Sequence, residues 1–420
     1  MFLFAYVNYY LYLCPRQITS ILIHMTQLSP LRRKKMEESL SQLPESRRRD
    51  AATDYFEGYF SVTLTVRDHA PVLGILTGHI GAKEGKDVPH NELSELGALV
   101  QDEWEKVPSH HPNVQMIAIQ VMPDHIHGLL YMKKLPGMHL GRIVGGFMIG
   151  CTHHYWDCLG IDWRSMKNAR PMQDRDHTRS YRGPSLFVRG YNDVQPVSQQ
   201  ELAIKIEYYR TNPERRLIKG QLYDRFVIGR GLRNRKWTES SIRAALTGDR
   251  RYARDAWALE IAWHGIQDRL NEKTVMDDVQ TYIDVVGNRR LFEVPVKRSL
   301  ICHRADAVFF EQQKKAVMTA ARGGAVIVSA FISPREREIR KLLLAEGLPV
   351  IEIVDNGFGQ LYKPMGQAFY ACAENRLAQM TPWKYKYQRH AVVTREMCLV
   401  MNELVRLVCG VRDDWWRVER

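Results

Sequence analysis

Phe60, Val62, Leu64 and Val66 alternate with Ser61, Thr63, Thr65 and Arg67. A period of two is that of a half-buried strand, with one apolar and one polar face. Val72 to Ile80, broken by Gly74 and Gly78, reads as a second strand. Leu93, Leu96, Val100 and Trp104 recur at helical spacing, which predicts a helix over Asn91 to Lys106 laid on the sheet. Strand texture returns over Val114 to Val121 and again over His125 to Met132. Pro123 between them cannot donate to a ladder, so an edge or bulge is expected there. Met138 to Trp156 reads as a second long helix, with Gly145-Gly146 as its weak point. Ser165 to Pro184 is polar and reads as an exposed loop, and Leu186 to Val188 as a short strand. Ser198 followed by Glu201 is a capping-box signal for a further helix. That helix is expected to end at Asn212-Pro213, because a residue before proline disfavours the helical region.

The second half has a different texture. Ser240 to Gly287 carries helical patterns, including a Trp257–Leu270 stripe that reads as core. Ala325-Val326-Ile327-Val328-Ser329-Ala330 is a short continuous apolar run, typical of a buried parallel strand. Pro334 to Glu346 reads as a helix closed by Gly347, and Pro349 to Val354 as the next strand. This is a β–α–β unit of an open, Rossmann-like α/β domain. No GxGxxG is present, so nothing points to a dinucleotide; Ser333 is either an ordinary helix cap or a phosphate contact. The expected organisation is a basic, disordered extension over 1–50, an α+β domain over 51–225, a basic and helical connector over 226–293, and an α/β domain over 294–420.

Charge adds a partner class. The 420 residues carry 60 Lys plus Arg against 47 Asp plus Glu, a formal net charge of +13. Such an excess points to a polyanion, nucleic acid before an anionic membrane surface. Seven scattered cysteines without a CxxC pair argue against a disulfide framework and a thiolate zinc site, and a reducing cytoplasm fits them. Cys151, His153, His154 and Cys158 lie close in sequence but read as buried thiols beside partly exposed histidines. The aromatic and apolar run Met1 to Cys14 is shorter than the roughly 20 residues a membrane helix needs. It lacks a basic segment ahead of it, and Met25 and Met36 offer alternative starts. Arg32-Arg33-Lys34-Lys35 and Arg47-Arg48-Arg49 read as a basic arm.

Two stretches carry candidate chemistry. In a strand, His125 and His127 project from one face and Ile126 from the other. Two imidazoles side by side can hold a divalent metal, or can be a hydrogen-bonded surface pair. In the helix from Ser198, Leu202, Ile206 and Tyr209 form an apolar stripe, while Glu201, Lys205, Tyr208 and Asn212 share another face. That polar face is either solvated or part of a small site. After Pro213 come Arg215, Arg216, Lys219, Arg225, Arg230, Arg233, Arg235 and Lys236, interleaved with Tyr223, Phe226 and Trp237. Cations with aromatics suit a single-strand or hairpin contact surface, and equally a solvated linker.

Met122-Pro123-Asp124-His125-Ile126-His127-Gly128 resembles the HUH signature of single-tyrosine transposases, in which U is a large hydrophobic residue. Tyr208-Tyr209-Arg210-Thr211-Asn212-Pro213 resembles the Tyr-x-x-x-Asn-Pro element of the REP-associated tyrosine transposases. The resemblance covers roughly Tyr55 to Arg225. It implies a ferredoxin-like antiparallel sheet of the HUH endonuclease type. It implies His125, His127 and Asn212 as ligands of Mg²⁺ or Mn²⁺, and Tyr208 as the nucleophile. Tyr209 and Tyr191 are rival nucleophiles; Tyr209 falls on the apolar stripe and reads as core. The implied reaction is nicking and rejoining of single-stranded or hairpin DNA through a 5′-phosphotyrosine, in the cytoplasm on the nucleoid, by a monomer or homodimer. Arg215, Arg216, Lys219, Arg230, Arg233, Arg235 and Lys236 are the expected DNA contacts. Rival readings are a non-catalytic nucleic-acid-binding protein derived from a transposase and a hydrolytic metal enzyme without a tyrosine nucleophile. The Ser165–Pro184 insertion and the long continuation past the domain depart from the family pattern. The C-terminal part has a faint, local resemblance to the Rossmann-like DNA-processing protein A group, on Ser329 to Ser333, Asp355-Asn356-Gly357 and Lys363-Pro364.

Overall fold

In the computed structural model, residues 54–164, 172–173, 180–181, 184–234, 237–271, 281–360, 362–386 and 393–417 are described. The basic extension over 1–50, most of the Ser165–Pro184 stretch, Arg235 and Lys236 lie outside them. The chain divides into two units at Gln221/Leu222.

The first unit follows the order β1 (Gly58–Thr65), β2 (Gly74–Thr77), β3 (His90–Leu93), α1 (Glu95–His110), β4 (Val114–Met122), β5 (His125–Met132), α2 (Leu140–Cys158), the two-residue strands β6 (Met172–Gln173) and β7 (Ser180–Tyr181), β8 (Asn192–Val194) and α3 (Gln199–Gln221). Four strands make one antiparallel sheet in the order β4-β5-β1-β8. With α1 between β1 and β4, and α2 between β5 and β8, this is the β–α–β–β–α–β arrangement of ferredoxin-like folds. β2 and β3 form a separate ribbon.

The alternation read from the sequence sets the layers. Phe60, Val62, Leu64, Ile126 and Leu130 are buried in one core with Leu96, Val100 and Trp104 of α1 and Ile143, Val144 and Phe147 of α2. α1 starts at Ser94, whose hydroxyl accepts from the Gly97 amide at 3.0 Å. Trp104 lies so close to the sheet that a Cβ on Gly128 would sit 2.2 Å from its ring. Residue 128 must therefore lack a side chain.

Two expectations here are corrected. Pro123 closes β4, which is an edge strand as expected, but it marks neither a bulge nor a broken ladder. Pro123 and Asp124 are the two-residue turn of the β4–β5 hairpin, where Met122 pairs with His125 and the missing amide is needed by no strand. The turn's carbonyls accept from Leu73 and Val66 at 3.0 and 2.9 Å. Second, α3 does not end at Asn212-Pro213 but continues to Gln221 with Pro213 inside it. Asn212 and Pro213 are both buried, so packing against the sheet overrides the local preference.

The second unit carries β9 (Gly229–Asn234), α4 (Glu239–Thr247), α5 (Ala256–Gln267), β10 (Thr281–Gly287), β11 (Lys297–Ser299), α6 (Phe310–Arg322), β12 (Val326–Ser329), α7 (Pro334–Ala345), β13 (Val350–Ile353), α8 (Gln367–Ala373), β14 (Leu377–Thr381) and α9 (Arg395–Cys409). Its six-stranded sheet runs β11-β12-β13-β14-β10-β9, with the first four parallel and the last two antiparallel. The parallel strands follow one another in chain order, so they contain no topological switch point of the kind that receives dinucleotides. One face packs Ile351, Ile353, Ala378 and Met380 against Ile242, Leu246, Trp263, Val400 and Leu404 from α4, α5 and α9.

The stretch 226–293 is therefore not a separate connector. It supplies the β9–β10 edge of the sheet and Trp237, Ile242 and Trp263 to its core. The Trp257–Leu270 stripe splits as well: Trp263, Ile266 and Leu270 are core, whereas Trp257 is 74% exposed on the first turn of α5. Ser333 is an ordinary cap, with the full capping box to Glu336. Among the described residues, no helix is long and apolar enough to cross a membrane.

Candidate active site

The side of the sheet away from the apolar core is polar. His125 and His127 on β5 lie opposite Thr65 and Thr63 of β1, and opposite Met122 and Gln120 of β4. Their rings are 4.8 Å apart between centroids, at 80°. α3 lies over this strip and completes the group. Tyr208 stands edge-on to His127 at 5.4 Å, while Tyr209 stacks on the same ring at 5.4 Å and 19°. Asn212 is one turn on and 5% exposed.

The face that α3 turns to the sheet is therefore the one with Lys205, Tyr208, Asn212 and Arg215, joined by Tyr209. This corrects the expected apolar stripe. Ile206 is 42% exposed, although Tyr209 is buried as the sequence suggested. The cause is the partner surface: Ser61, Thr63 and the two histidines offer polar atoms, and a polar helix face satisfies them. The Tyr209 hydroxyl donates to the Gly128 carbonyl at 2.9 Å and shares a hydrogen bond with Ser61 Oγ at 2.8 Å. Burial pushes the Tyr209 phenol well above its ordinary pKa, only partly offset by the Ser61 bond. Such a phenol resists ionisation and is already committed on both sides. Tyr191 packs against the apolar core on the opposite side of the sheet.

Each histidine is held by its Nδ1. His127 Nδ1 is 2.9 Å from Thr63 Oγ1, and His125 Nδ1 is 2.7 Å from Asp124 Oδ1. Asp124 also receives Arg216 of α3 at 3.1 Å. Burial raises the Asp124 pKa, but the bond to His125 and the charges of His125 and Arg216 outweigh it and hold the carboxyl below its usual range. His127 is 2% exposed, and its pKa is well below that of a free imidazole. Burial is the main cause, followed by the charges of His125, Lys205 and Lys219. A neutral ring with Nδ1 engaged presents Nε2 as the remaining position.

Among the described residues that Nε2 is buried and has no hydrogen-bond partner, and the same is true of Asn212 Nδ2. Orphaned buried polar atoms are costly, so two on one small strip mark a place built for something to bind. Two imidazoles anchored through Nδ1, plus a carboxamide whose oxygen and nitrogen interchange by rotation, form an N/O donor set. It fits Mg²⁺ or Mn²⁺ better than a soft metal. Among the described residues no group of three or more His, Cys, Asp or Glu forms a metal cluster, so the set depends on Asn212 as its third member.

The expected DNA-contacting cations divide. Arg215 is only 4% exposed, with its guanidinium carbon 5.9 Å from the Tyr208 ring centroid. Because α3 runs on past Pro213, position 215 falls two turns below 208 on the sheet-facing side. Arg216 is half exposed but tied to Asp124. Lys219 is part-buried and its charge reaches His127. Arg230 belongs to the second unit, where it pairs with Asp284 at 2.7 Å and donates to the Phe358 and Gly359 carbonyls. Arg233 is exposed on β9. Sequence reasoning missed Thr63 and Asp124 as members of the site, and left the face carrying Lys205 open between solvent and site. The signal for Thr63 was the polar phase of β1, and for Asp124 its place beside His125 in the turn.

No protein-family model matches the chain, and no curated protein does. Several solved structures are similar to it. One is a REP-associated tyrosine transposase bound to a REP hairpin, with 12% identity over 41% of this chain and 73% of that one, at a TM-score of 0.25. Another is a Deinococcus radiodurans protein provisionally assigned as a transposase, with 15% identity over 40% of this chain and 97% of that one, at a TM-score of 0.22.

Proposed function

We propose that this chain is a metal-dependent, single-tyrosine DNA transesterase of the REP-associated, HUH type, acting on single-stranded or hairpin DNA. The observation that carries the reading is the convergence on one polar strip of Tyr208 with His127 Nε2 and Asn212 Nδ2, both without a partner among the described residues. His125, His127 and Asn212 would hold the divalent ion. When bound, it supplies charge stabilisation for the phosphate and for the leaving oxygen.

The chain's own residues do the rest. Tyr208 stands beside His127 on the rim of the strip, half-buried, where a strand can reach it. Its phenol, ordinarily titrating near pH 10, loses a proton as its oxygen attacks phosphorus. The P–O3′ bond breaks, leaving a 3′-hydroxyl and a 5′-phosphotyrosine. The new ester keeps the energy of the broken one, so the reverse attack by a 3′-hydroxyl rejoins strands without ATP. Tyr209 pins the helix and Thr63 and Asp124 orient the imidazoles. For the second unit, the parallel β–α–β succession supports the Rossmann-like reading.

The test is covalent capture. Protein incubated with Mn²⁺ and an end-labelled hairpin oligonucleotide bearing a single-stranded tail should yield a labelled adduct on a denaturing gel. Tyr208→Phe should abolish it and Tyr209→Phe should not. Adduct surviving in Tyr208→Phe would refute the assignment of the nucleophile. Metal-dependent cleavage without adduct would point to a hydrolase, and salt-sensitive binding without cleavage to a non-catalytic binder.

A further inference from the structure

Lys205 is one turn ahead of Tyr208 on the sheet-facing side of α3 and is half-buried. Among the described residues its ammonium makes no ion pair and no hydrogen bond. The one carboxylate whose field acts on it is Glu201, one turn earlier, and Glu201 is engaged with the Val197 amide at 2.9 Å. The lysine's charge is directed instead at the site: it is felt at His127, alongside those of His125 and Lys219. Burial draws the ammonium below the ordinary lysine range, with Glu201 pulling the other way.

A partly desolvated ammonium without a counter-ion destabilises the folded chain unless something completes it. Arg215 flanks Tyr208 from the other side, two turns further down the helix. The phenol is therefore bracketed along α3 by two cations, on a strip that also holds the orphaned His127 Nε2 and Asn212 amide. An apolar ligand, or a cation placed directly beside Lys205, would leave the ammonium worse off. An anionic oxygen beside Tyr208 completes the Lys205 ammonium.

We infer that Lys205 is a substrate-binding residue that donates from its ammonium to a non-bridging oxygen of the phosphodiester presented to Tyr208. The inference rests on the transesterase reading for the identity of the ligand, but it is a statement about binding. The lysine fixes the phosphate before any bond changes. Its partial burial keeps that contact less screened than a surface lysine's would be.

The experiment separates the two readings. Binding of the tailed hairpin oligonucleotide is measured without metal in the Tyr208→Phe background, across a salt series, for proteins with Lys205, Lys205→Met and Lys205→Arg. Lys205→Met should weaken binding by roughly tenfold or more and lower the salt slope by about one, while Lys205→Arg should recover most of the affinity. The melting temperature of Lys205→Met should equal or exceed that of the parent, because an unpaired charge has been removed. Unchanged affinity and slope would overturn the inference, as would a lowered melting temperature, which would make the lysine structural. If wild-type protein forms no adduct yet the binding change is seen, the phosphate contact stands and the transesterase reading falls. If adduct forms and binding is unaltered, the reverse holds.

Discussion

The ring of Tyr209 lies flat against that of His127, with 5.4 Å between centroids and 19° between planes. Its hydroxyl is held by Ser61 and Gly128 at 2.8 and 2.9 Å. One tyrosine thus joins α3 to β1 and β5, and its neighbour Tyr208 inherits its position from that junction. Tyr209→Phe should lower unfolding stability by about 1–3 kcal/mol, since it strands two buried polar partners. Tyr208→Phe should change it by no more than about 0.5 kcal/mol. Urea denaturation of the two variants decides the matter; equal losses would mean that Tyr209 is not the anchor.

Thr63 supports His127 from behind, through the 2.9 Å contact to Nδ1. Thr63→Val keeps the shape and removes the hydroxyl. Mn²⁺ affinity, read by paramagnetic resonance of the free ion, should fall by roughly 10–100-fold. An unchanged affinity would show that the Thr63 contact plays no part in presenting Nε2.

Gly128 is on β5 between the site and the core, and the Trp104 ring occupies the space a side chain would need. Gly128→Ala should therefore destabilise the first unit by about 2–3 kcal/mol through overpacking. Trp104→Leu added to it should recover part of the loss. If the double variant is no better than the single one, the clash is not the cause.

In the second unit, His303 Nε2 is 3.0 Å from Asp413 Oδ2, and Arg406 also donates to that carboxylate at 2.9 Å. The bond to Asp413 raises the His303 pKa above 6.5. Burial pushes Asp413 up, yet the bonds from His303 and Arg406 prevail and leave it below 3.8. A raised histidine contributes stability that is full below pH 6.5 and lost as pH rises through its folded pKa. A depressed aspartate contributes stability that is full above pH 3.8 and lost as pH falls through its folded pKa. Both contributions are complete between those two values. The thermal midpoint should therefore decline above pH 6.5 in the wild type, and His303→Gln should remove part of that decline. Parallel profiles for the two proteins would refute the linkage.

Much of the first unit was legible because its signals are local. Alternation over Phe60–Val66 fixed which side of β1 is core, and the same rule separated Ile126 from His125 and His127. The boundary of α3 and its orientation were not legible. Proline at 213 argued for a stop, and Ile206 argued for an apolar contact. Both signals describe the helix alone, whereas the surface it meets is a polar strip assembled from β1 and β5, distant in sequence. Lys205 was placed on the face of Tyr208 and Asn212, but that face stayed open between solvent and site for the same reason, since a lysine on a helix is solvated by default. In the second half, β10 pairs with β14, joining Asp284 to Thr381 and Gly287 to Ala378, and β9 attaches only through β10; nothing in the texture of 226–293 announces that partner. Trp257 and Trp263 look alike in sequence; only the position of the sheet tells the exposed ring from the buried one.

The apolar core of the first unit contains no residue of α3. Its helices α1 and α2 are secured by burial in that core, while α3 is secured by hydrogen bonds, stacked rings and the Arg216–Asp124 pair together with the burial of Pro213 and Ile218 outside it. These two kinds of attachment fail at different free energies. The helix that carries Tyr208 should detach in a sub-global opening that leaves the rest of the unit intact, so its amides should exchange with solvent deuterium faster than those of α1. The half of the strip that carries Tyr208 would then lift while the two histidines stay on the sheet.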